Sequence, residues 1–169
     1  MKKPTYKCSG IGTRKPEQGK LAFNRTMKRE ETVKVPNDPK IHHYRILIVD
    51  DEPDIRQLNT EVLTDSGYDV EVAEDGFKAW EALQKGSYDL LITDNEMPNM
   101  SGVKLLEKLH SNNKSIPAIM ATGTMPADEL KRQPWFQIVP IVLKPYTLKE
   151  LLVTVKNTLR SVSGASAPV

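Results

Sequence analysis

From Arg45 onward, short apolar runs alternate with amphipathic stretches. The runs are Ile46-Leu47-Ile48-Val49, Asp69-Val70-Glu71-Val72-Ala73, Leu90-Leu91-Ile92-Thr93, Ala118-Ile119-Met120-Ala121 and Ile138-Val139-Pro140-Ile141-Val142-Leu143. Runs this short and this rich in Ile, Leu and Val suit strands buried on both faces, as in a parallel sheet covered by helices. The stretches between them have helical spacing. The first opens at Pro53, a favoured first helical residue, turns Ile55, Leu58 and Val62 inward, and stops at Gly67. The second runs from Asp75 to Lys85 and stops at Gly86, and the third starts near Ser101 and carries Val103, Leu106 and Leu109. A short fourth spans Ala127 to Gln133 and must end at Pro134, which cannot continue a helix. The fifth is announced by Thr147 and Glu150, spaced as a capping box, after which Leu148, Leu151, Leu152, Val155 and Leu159 fall on one face. Five strand–helix units in succession predict an α/β class, doubly wound (βα)₅ parallel sheet.

Charge divides the chain differently. Residues 1–45 hold 12 of the 24 Lys and Arg but four of the 22 acids, so a basic arm precedes an acidic domain. Residues 1–43 show no sustained period and contain Pro4, Pro16, Pro36 and Pro39, so they are expected to be a disordered arm with a short helix near Leu21–Glu31. Residues 44–161 form the expected domain and residues 162–169 a disordered tail. No run of about 18 apolar residues occurs, so no membrane span is expected. Cys8 is the sole cysteine, which excludes an internal disulfide and a thiolate zinc site. No apolar signal segment follows the basic N-terminus, and a cytoplasmic location is expected.

Chemistry gathers at the predicted strand ends. The first strand ends in Asp50-Asp51-Glu52, the third in Asp94, the fourth in Thr122 and the fifth in Lys144-Pro145. In doubly wound sheets ligands bind outside the carboxyl ends of the strands, so these residues are predicted to meet in one crevice. Converging carboxylates repel unless a cation sits among them. Oxygen donors without His or Cys favour a hard ion such as Mg²⁺. An aspartate carboxylate can attack phosphorus, and the transferring oxygens then need positive charge, which Lys144 and Mg²⁺ would bring. Thr122 could donate to a phosphoryl oxygen. Each of these residues alone is ordinary; their joint placement at four strand ends carries the reading.

The segments Ile48-Val49-Asp50-Asp51-Glu52-Pro53, Asp94-x-x-Met97-Pro98-x-Met100-x-Gly102, Ala121-Thr122-Gly123 and Lys144-Pro145-Tyr146 resemble the receiver domains of two-component response regulators, including single-domain regulators of the chemotaxis type. The resemblance implies the flavodoxin-like receiver fold and a stand-alone, non-enzymatic signalling protein. It implies that Asp94 is phosphorylated from a phosphohistidine of a histidine kinase or histidine phosphotransfer protein. It further implies that Asp51 and Asp94 bind Mg²⁺ directly, Asp50 through water, and Glu96 through its backbone carbonyl. Lys144 would contact the phosphoryl group, with a cis bond to Pro145, and the protein would hydrolyse its own acyl phosphate. Output would pass to an unidentified downstream protein, or to a phosphorylation-dependent dimer, through the face from Met125 to Ile141. The chain departs from the family at Ile141, where an aromatic switch residue often stands, and at Trp135-Phe136, which are either local core cover or an exposed contact face.

Three other readings fit the residues less well. A haloacid-dehalogenase-like phosphatase uses a second Asp two residues after the nucleophile, where this chain has Glu96, and its acidic pair follows the nucleophile instead of preceding it. Nucleic-acid binding would have to rest on the basic arm, because no helix-turn-helix or aromatic-interleaved basic motif is visible. A receiver that has lost phosphorylation is argued against by the full set of Asp50, Asp51, Asp94, Thr122 and Lys144.

Overall fold

The computed structural model describes residues 44–164. The expected arm, its short helix at Leu21–Glu31 and the last five residues lie outside this range. Five strands, β1 (Arg45–Val49), β2 (Asp69–Ala73), β3 (Leu90–Thr93), β4 (Ala118–Thr122) and β5 (Ile141–Leu143), form one sheet in the order β2-β1-β3-β4-β5. Every pairing is parallel. Between them run the helices α1 (Pro53–Asp65), α2 (Gly76–Lys85), α3 (Gly102–Ser111), α4 (Ala127–Arg132) and, after β5, α5 (Leu148–Gly164). The doubly wound α/β fold expected from the apolar pattern is the one observed.

Alternation along the strands explains why the apolar runs are nearly continuous. Ile46, Ile48, Ile92 and Ile119 face Leu63 of α1 and Leu151, Val155 and Leu159 of α5. Leu47, Val49, Leu91 and Met120 face Ala79 and Leu83 of α2 and Val103, Leu106 and Leu109 of α3. On the central strands β1, β3 and β4 both faces are covered, so neighbouring residues are buried alike, whereas the edge strands β2 and β5 leave Val72 and Leu143 exposed. Each fully buried Leu or Ile contributes about 1.5–3 kcal/mol relative to exposure.

Local signals set the helix ends. Asp75 and Ser101 cap α2 and α3, accepting the backbone N–H of Lys78 at 2.8 Å and of Lys104 at 3.3 Å. Before α5, Glu150 Oε2 accepts the Thr147 N–H at 2.7 Å and Thr147 Oγ1 accepts the Glu150 N–H at 3.2 Å, the reciprocal pair expected of a capping box. Helix α1 ends where Gly67 takes φ +90°, so that its N–H reaches Thr64 O and the Tyr68 N–H reaches Leu63 O. That double closure needs a left-handed residue after the helix, which glycine supplies without strain.

Three expectations are corrected. The fifth run was expected to be strand from Ile138, but Pro134–Ile138 is a 3₁₀ helix and β5 begins at Ile141. Pro134 opens that turn, Pro140 has no N–H for a ladder, and Ile138 is 84% exposed, so the apolar run is broken by its prolines. On α1 the buried stripe is centred on Asn59 and Leu63, while Leu58 turns outward and is 44% exposed. Helix α5 runs to Gly164, past the boundary expected at residue 161. Phe136 resolves one open alternative: it is 1% exposed and belongs to the core beside α3, with the Trp135 ring edge-on to it and stacked on His110 at 4.5 Å. Among the described residues no helix is long and apolar enough to cross a membrane.

Candidate phosphoacceptor site

Strand register builds the site. Val49 pairs with Thr93, so the next residues, Asp50 and Asp94, leave the sheet side by side. The Asp94 N–H donates to Val49 O at 2.8 Å and holds the two strand ends together. Strands β2 and β3 flank β1 on opposite sides, so this is the point at which the strand order reverses and a crevice opens. On the far side, Thr122 pairs with Leu143 and its carbonyl accepts the Lys144 N–H at 2.8 Å. This register aims Lys144 back across the sheet ends.

Lys144 Nζ lies 2.8 Å from Asp50 Oδ2 and 2.6 Å from Asp94 Oδ2, with Glu52 Oε1 farther off at 3.8 Å. The two aspartates are nearly buried, at 3% and 5% exposure. Burial by itself lowers the Lys144 ammonium, but its hydrogen bonds to Asp50 and Asp94 and their charges outweigh that, and its pKa rises above the ordinary lysine value. The other oxygens of the two acids are held by backbone. Asp94 Oδ1 accepts the N–H groups of Asn95 and Glu96, and Asp50 Oδ1 accepts the Glu52 N–H at 2.9 Å. These bonds fix the rotation of each carboxylate.

Asp51 is exposed at the rim. One carboxylate oxygen from each of Asp50, Asp51 and Asp94 can be chosen so that all lie within 4.8 Å of one another. Three hard oxygen donors at that spacing fit a divalent cation such as Mg²⁺, and neither His nor Cys belongs to the cluster.

The remaining expected residues stand differently. Thr122 is fully buried at the end of β4, and its hydroxyl exchanges hydrogen bonds with Thr124, donating to its carbonyl at 3.2 Å and accepting its N–H at 3.3 Å. Its bonds therefore stay within the loop after β4. Glu96 directs its backbone N–H at Asp94, and its side chain is exposed, with Oε1 close to Gly123. The Lys144–Pro145 peptide is cis, as the resemblance implied.

The loop after Asp94 is tied down by its own residues. Met97 and Met100 tuck into the core, Asn95 Oδ1 accepts the Val103 N–H at 3.1 Å, and Gly102 begins α3 directly beneath Asp94. A Cβ on Gly102 would come within 2.1 Å of the Asp94 carbonyl oxygen, so the close approach of α3 to the strand end requires glycine there.

Two residues that support this arrangement, Arg56 and Asn59, and the role of Tyr146 as partner of Asn59 are absent from the sequence reading. Arg56 of α1 donates from Nη1 to the Asp50 carbonyl oxygen. Asn59, one turn on, donates from Nδ2 to Tyr146 Oη at 2.9 Å. Burial raises the Tyr146 phenol, which keeps it neutral as the partner of Asn59. The available signal was an asparagine standing on the inward stripe of an amphipathic helix, since a buried amide must have a partner.

Comparison with known proteins agrees with this geometry. The model of the response regulator receiver domain matches residues 46–156. The chemotaxis protein CheY of Pseudomonas aeruginosa is 31% identical over 123 residues, covering 71% of this chain and 99% of that protein. The sensor protein EvgS of Escherichia coli (strain K12) is 41% identical over 106 residues, and this chain spans 9% of its length. Among solved structures, a CheY-like receiver domain protein from Methanospirillum hungatei JF-1 superposes with a TM-score of 0.68 at 28% identity, covering 73% of this chain and 98% of that one. The response regulator TrrA of Thermotoga maritima, solved in complex with Mg(2+)-BeF, has a TM-score of 0.60 at 34% identity, covering 68% and 98%. By its residues, its fold and its relatives, the chain belongs to the response regulator receiver domain family of two-component signalling.

Proposed function

We propose that this receiver accepts a phosphoryl group on Asp94 from a phosphohistidine of a histidine kinase or phosphotransfer protein. The observation that carries the reading is the Lys144 ammonium bonded at once to Asp50 and Asp94 within a cluster of three carboxylates. In the transfer, a carboxylate oxygen of Asp94 forms a bond to phosphorus while the phosphorus–nitrogen bond of the donor breaks and the imidazole leaves. The amides of Asn95 and Glu96 hold Asp94 oriented for that attack, and Lys144 follows the charge from the carboxylate to the phosphoryl oxygens. Asp50, Asp51 and Asp94 would hold Mg²⁺, with the Glu96 carbonyl as a further ligand, and the ion would add positive charge against the transferring group.

With Mg²⁺ and a small acyl-phosphate donor, the full chain is expected to gain one phosphoryl mass, and peptide mapping should place it on Asp94. A chain that gains no mass, or carries the mass on another residue, would rule this assignment out.

Output follows from the same residues. A phosphoryl group on Asp94 offers Thr122 an acceptor stronger than the Thr124 carbonyl, and Thr122 leads directly into the loop before α4. Exchange of that bond would pull the loop toward the site and shift the face from Met125 to Ile141, where Met125 is 45% exposed. A ligand biases such an equilibrium only through its different affinity for the two states, and Thr122 supplies the difference. Hydrogen exchange with and without beryllofluoride and Mg²⁺ should change protection from Gly123 to Ile141. Changes confined to α1 or α2 would rule this surface out.

A further inference from the structure

Lys144 reaches its two carboxylates from a loop that is anchored at each end by hydrogen bonds. Its own N–H is bonded to Thr122 O, and the capping pair of Thr147 and Glu150 fixes the far end. Between them the loop lies across α1, and here the packing is partly open. The Tyr146 ring packs partly against the core cluster that includes Leu63 and Leu151, while a cleft of about 400 Å³ stays open between Leu58, Leu148 and the Lys144–Tyr146 segment. What spans the gap is a hydrogen bond between Asn59 Nδ2 and Tyr146 Oη, 2.9 Å long and joining residues 87 positions apart. Asn59 is 3% exposed, and a buried amide commits strongly to its partner.

The same helix holds the other half of the site. Arg56 lies one turn before Asn59 and donates to the Asp50 carbonyl oxygen. Helix α1 therefore grips Asp50 through Arg56 and the Lys144 loop through Asn59. The distance between these grips is set by one helical turn, and across it Lys144 Nζ and Asp50 Oδ2 meet at 2.8 Å.

We propose that Asn59 is a positioning residue for phosphoryl transfer, acting through its bond to Tyr146 to hold Lys144 Nζ in place between Asp50 and Asp94. The inference rests on Asp94 being the acceptor and Lys144 its electrostatic partner. Asn59 touches neither the donor nor the reacting atoms. Its effect is on how often Lys144 occupies the geometry that stabilises the transferring charge, and misplacement by about 1 Å can cost up to about 10²-fold in rate.

The test compares Asn59→Leu, Tyr146→Phe and the double variant in the full chain. Each single change breaks the bond; Asn59→Leu also leaves the phenol without its partner, and Tyr146→Phe leaves the amide without its own. The double variant replaces both with apolar groups, so thermal stability should recover toward wild type. The labelling rate with an acyl phosphate and Mg²⁺ should fall about tenfold in all three and should not recover in the double variant. Mg²⁺ binding should persist, because Asp50, Asp51 and Asp94 are untouched. A double variant that regains the wild-type rate along with stability would overturn the proposal and leave the bond a purely structural one. Folded single variants that label at the wild-type rate would overturn it equally. A wild type that takes no label would bring down the functional reading beneath, and this inference with it.

Discussion

Replacing Asp94 with alanine is expected to abolish labelling by an acyl phosphate while leaving the fold intact. The nucleophile must be a carboxylate oxygen with its orientation fixed and a cation at hand. Asp94 has both, through the Asn95 and Glu96 amides and through Lys144. Asp50 is buried like Asp94 and also bonds Lys144, but a single amide, from Glu52, orients its carboxylate where two orient Asp94, while Asp51 is exposed at the rim. Neither is expected to substitute as acceptor. Stability should change by no more than about 1 kcal/mol, because the lost contact to Lys144 is offset by relief of repulsion among the crowded acids. Intact mass and urea unfolding measured on the same sample separate the two effects. Full labelling of Asp94→Ala would defeat the assignment, and loss of cooperative unfolding would show that Asp94 is needed for the fold instead.

Lys144→Met should have the second largest effect, and on both axes. Methionine keeps most of the aliphatic stem and removes the charge. Loss of one preorganised positive donor should slow labelling about 10²–10³-fold. Without divalent cations, Asp50 and Asp94 are then buried without a counter-charge, and stability should fall by about 3 kcal/mol. Adding Mg²⁺ should recover part of that loss, since an ion that binds the folded chain stabilises it by mass action.

The pH dependence of the same comparison has a definite sign. The folded-state pKa of Lys144 lies above the unfolded lysine value, so its contribution is fully present below about pH 10.4 and is lost only as pH rises through the folded value. The stability gap between wild type and Lys144→Met should therefore stay level from neutral pH into the alkaline range. A gap that closes below about pH 9 would show that Lys144 is not held by Asp50 and Asp94 in solution.

These predictions concern a site whose parts were legible before its geometry was. Each strand end announced itself by a polar residue closing an apolar run: Asp50 after Val49, Asp94 after Thr93, Lys144 after Leu143. Burial of both faces of the central strands β1 and β3 makes such a pattern visible there, because a strand covered on each side has little place for charge except its ends. Helix termini were legible for the same local reason. Gly67, Ser101 and the pair of Thr147 and Glu150 act on backbone groups within a few residues of themselves, so sequence spacing alone specifies them.

Tertiary structure decided what depends on separation. Lys144 is bonded to partners 94 and 50 residues away, and nothing in its own neighbourhood says which carboxylates it will meet. The strand order and the register of Val49 against Thr93 and of Thr122 against Leu143 choose them. Thr122 closes β4, and its hydroxyl turns to Thr124, because a short-range carbonyl is within reach when no stronger acceptor is. Ile138 reads as strand by composition, but flanking prolines deny it a ladder and leave it exposed. Asn59 shows the limit most clearly. The periodicity of Ile55, Leu58 and Val62 does not single it out on α1, and its partner Tyr146 arrives from the opposite end of the domain sequence, so that only the folded sheet brings the two within 2.9 Å. The chain's local chemistry thus determined the succession of elements and the helix ends set by caps and glycine. The packing of distant elements determined which site residues touch, since hydrogen bonds between them form only after the sheet has set their distance.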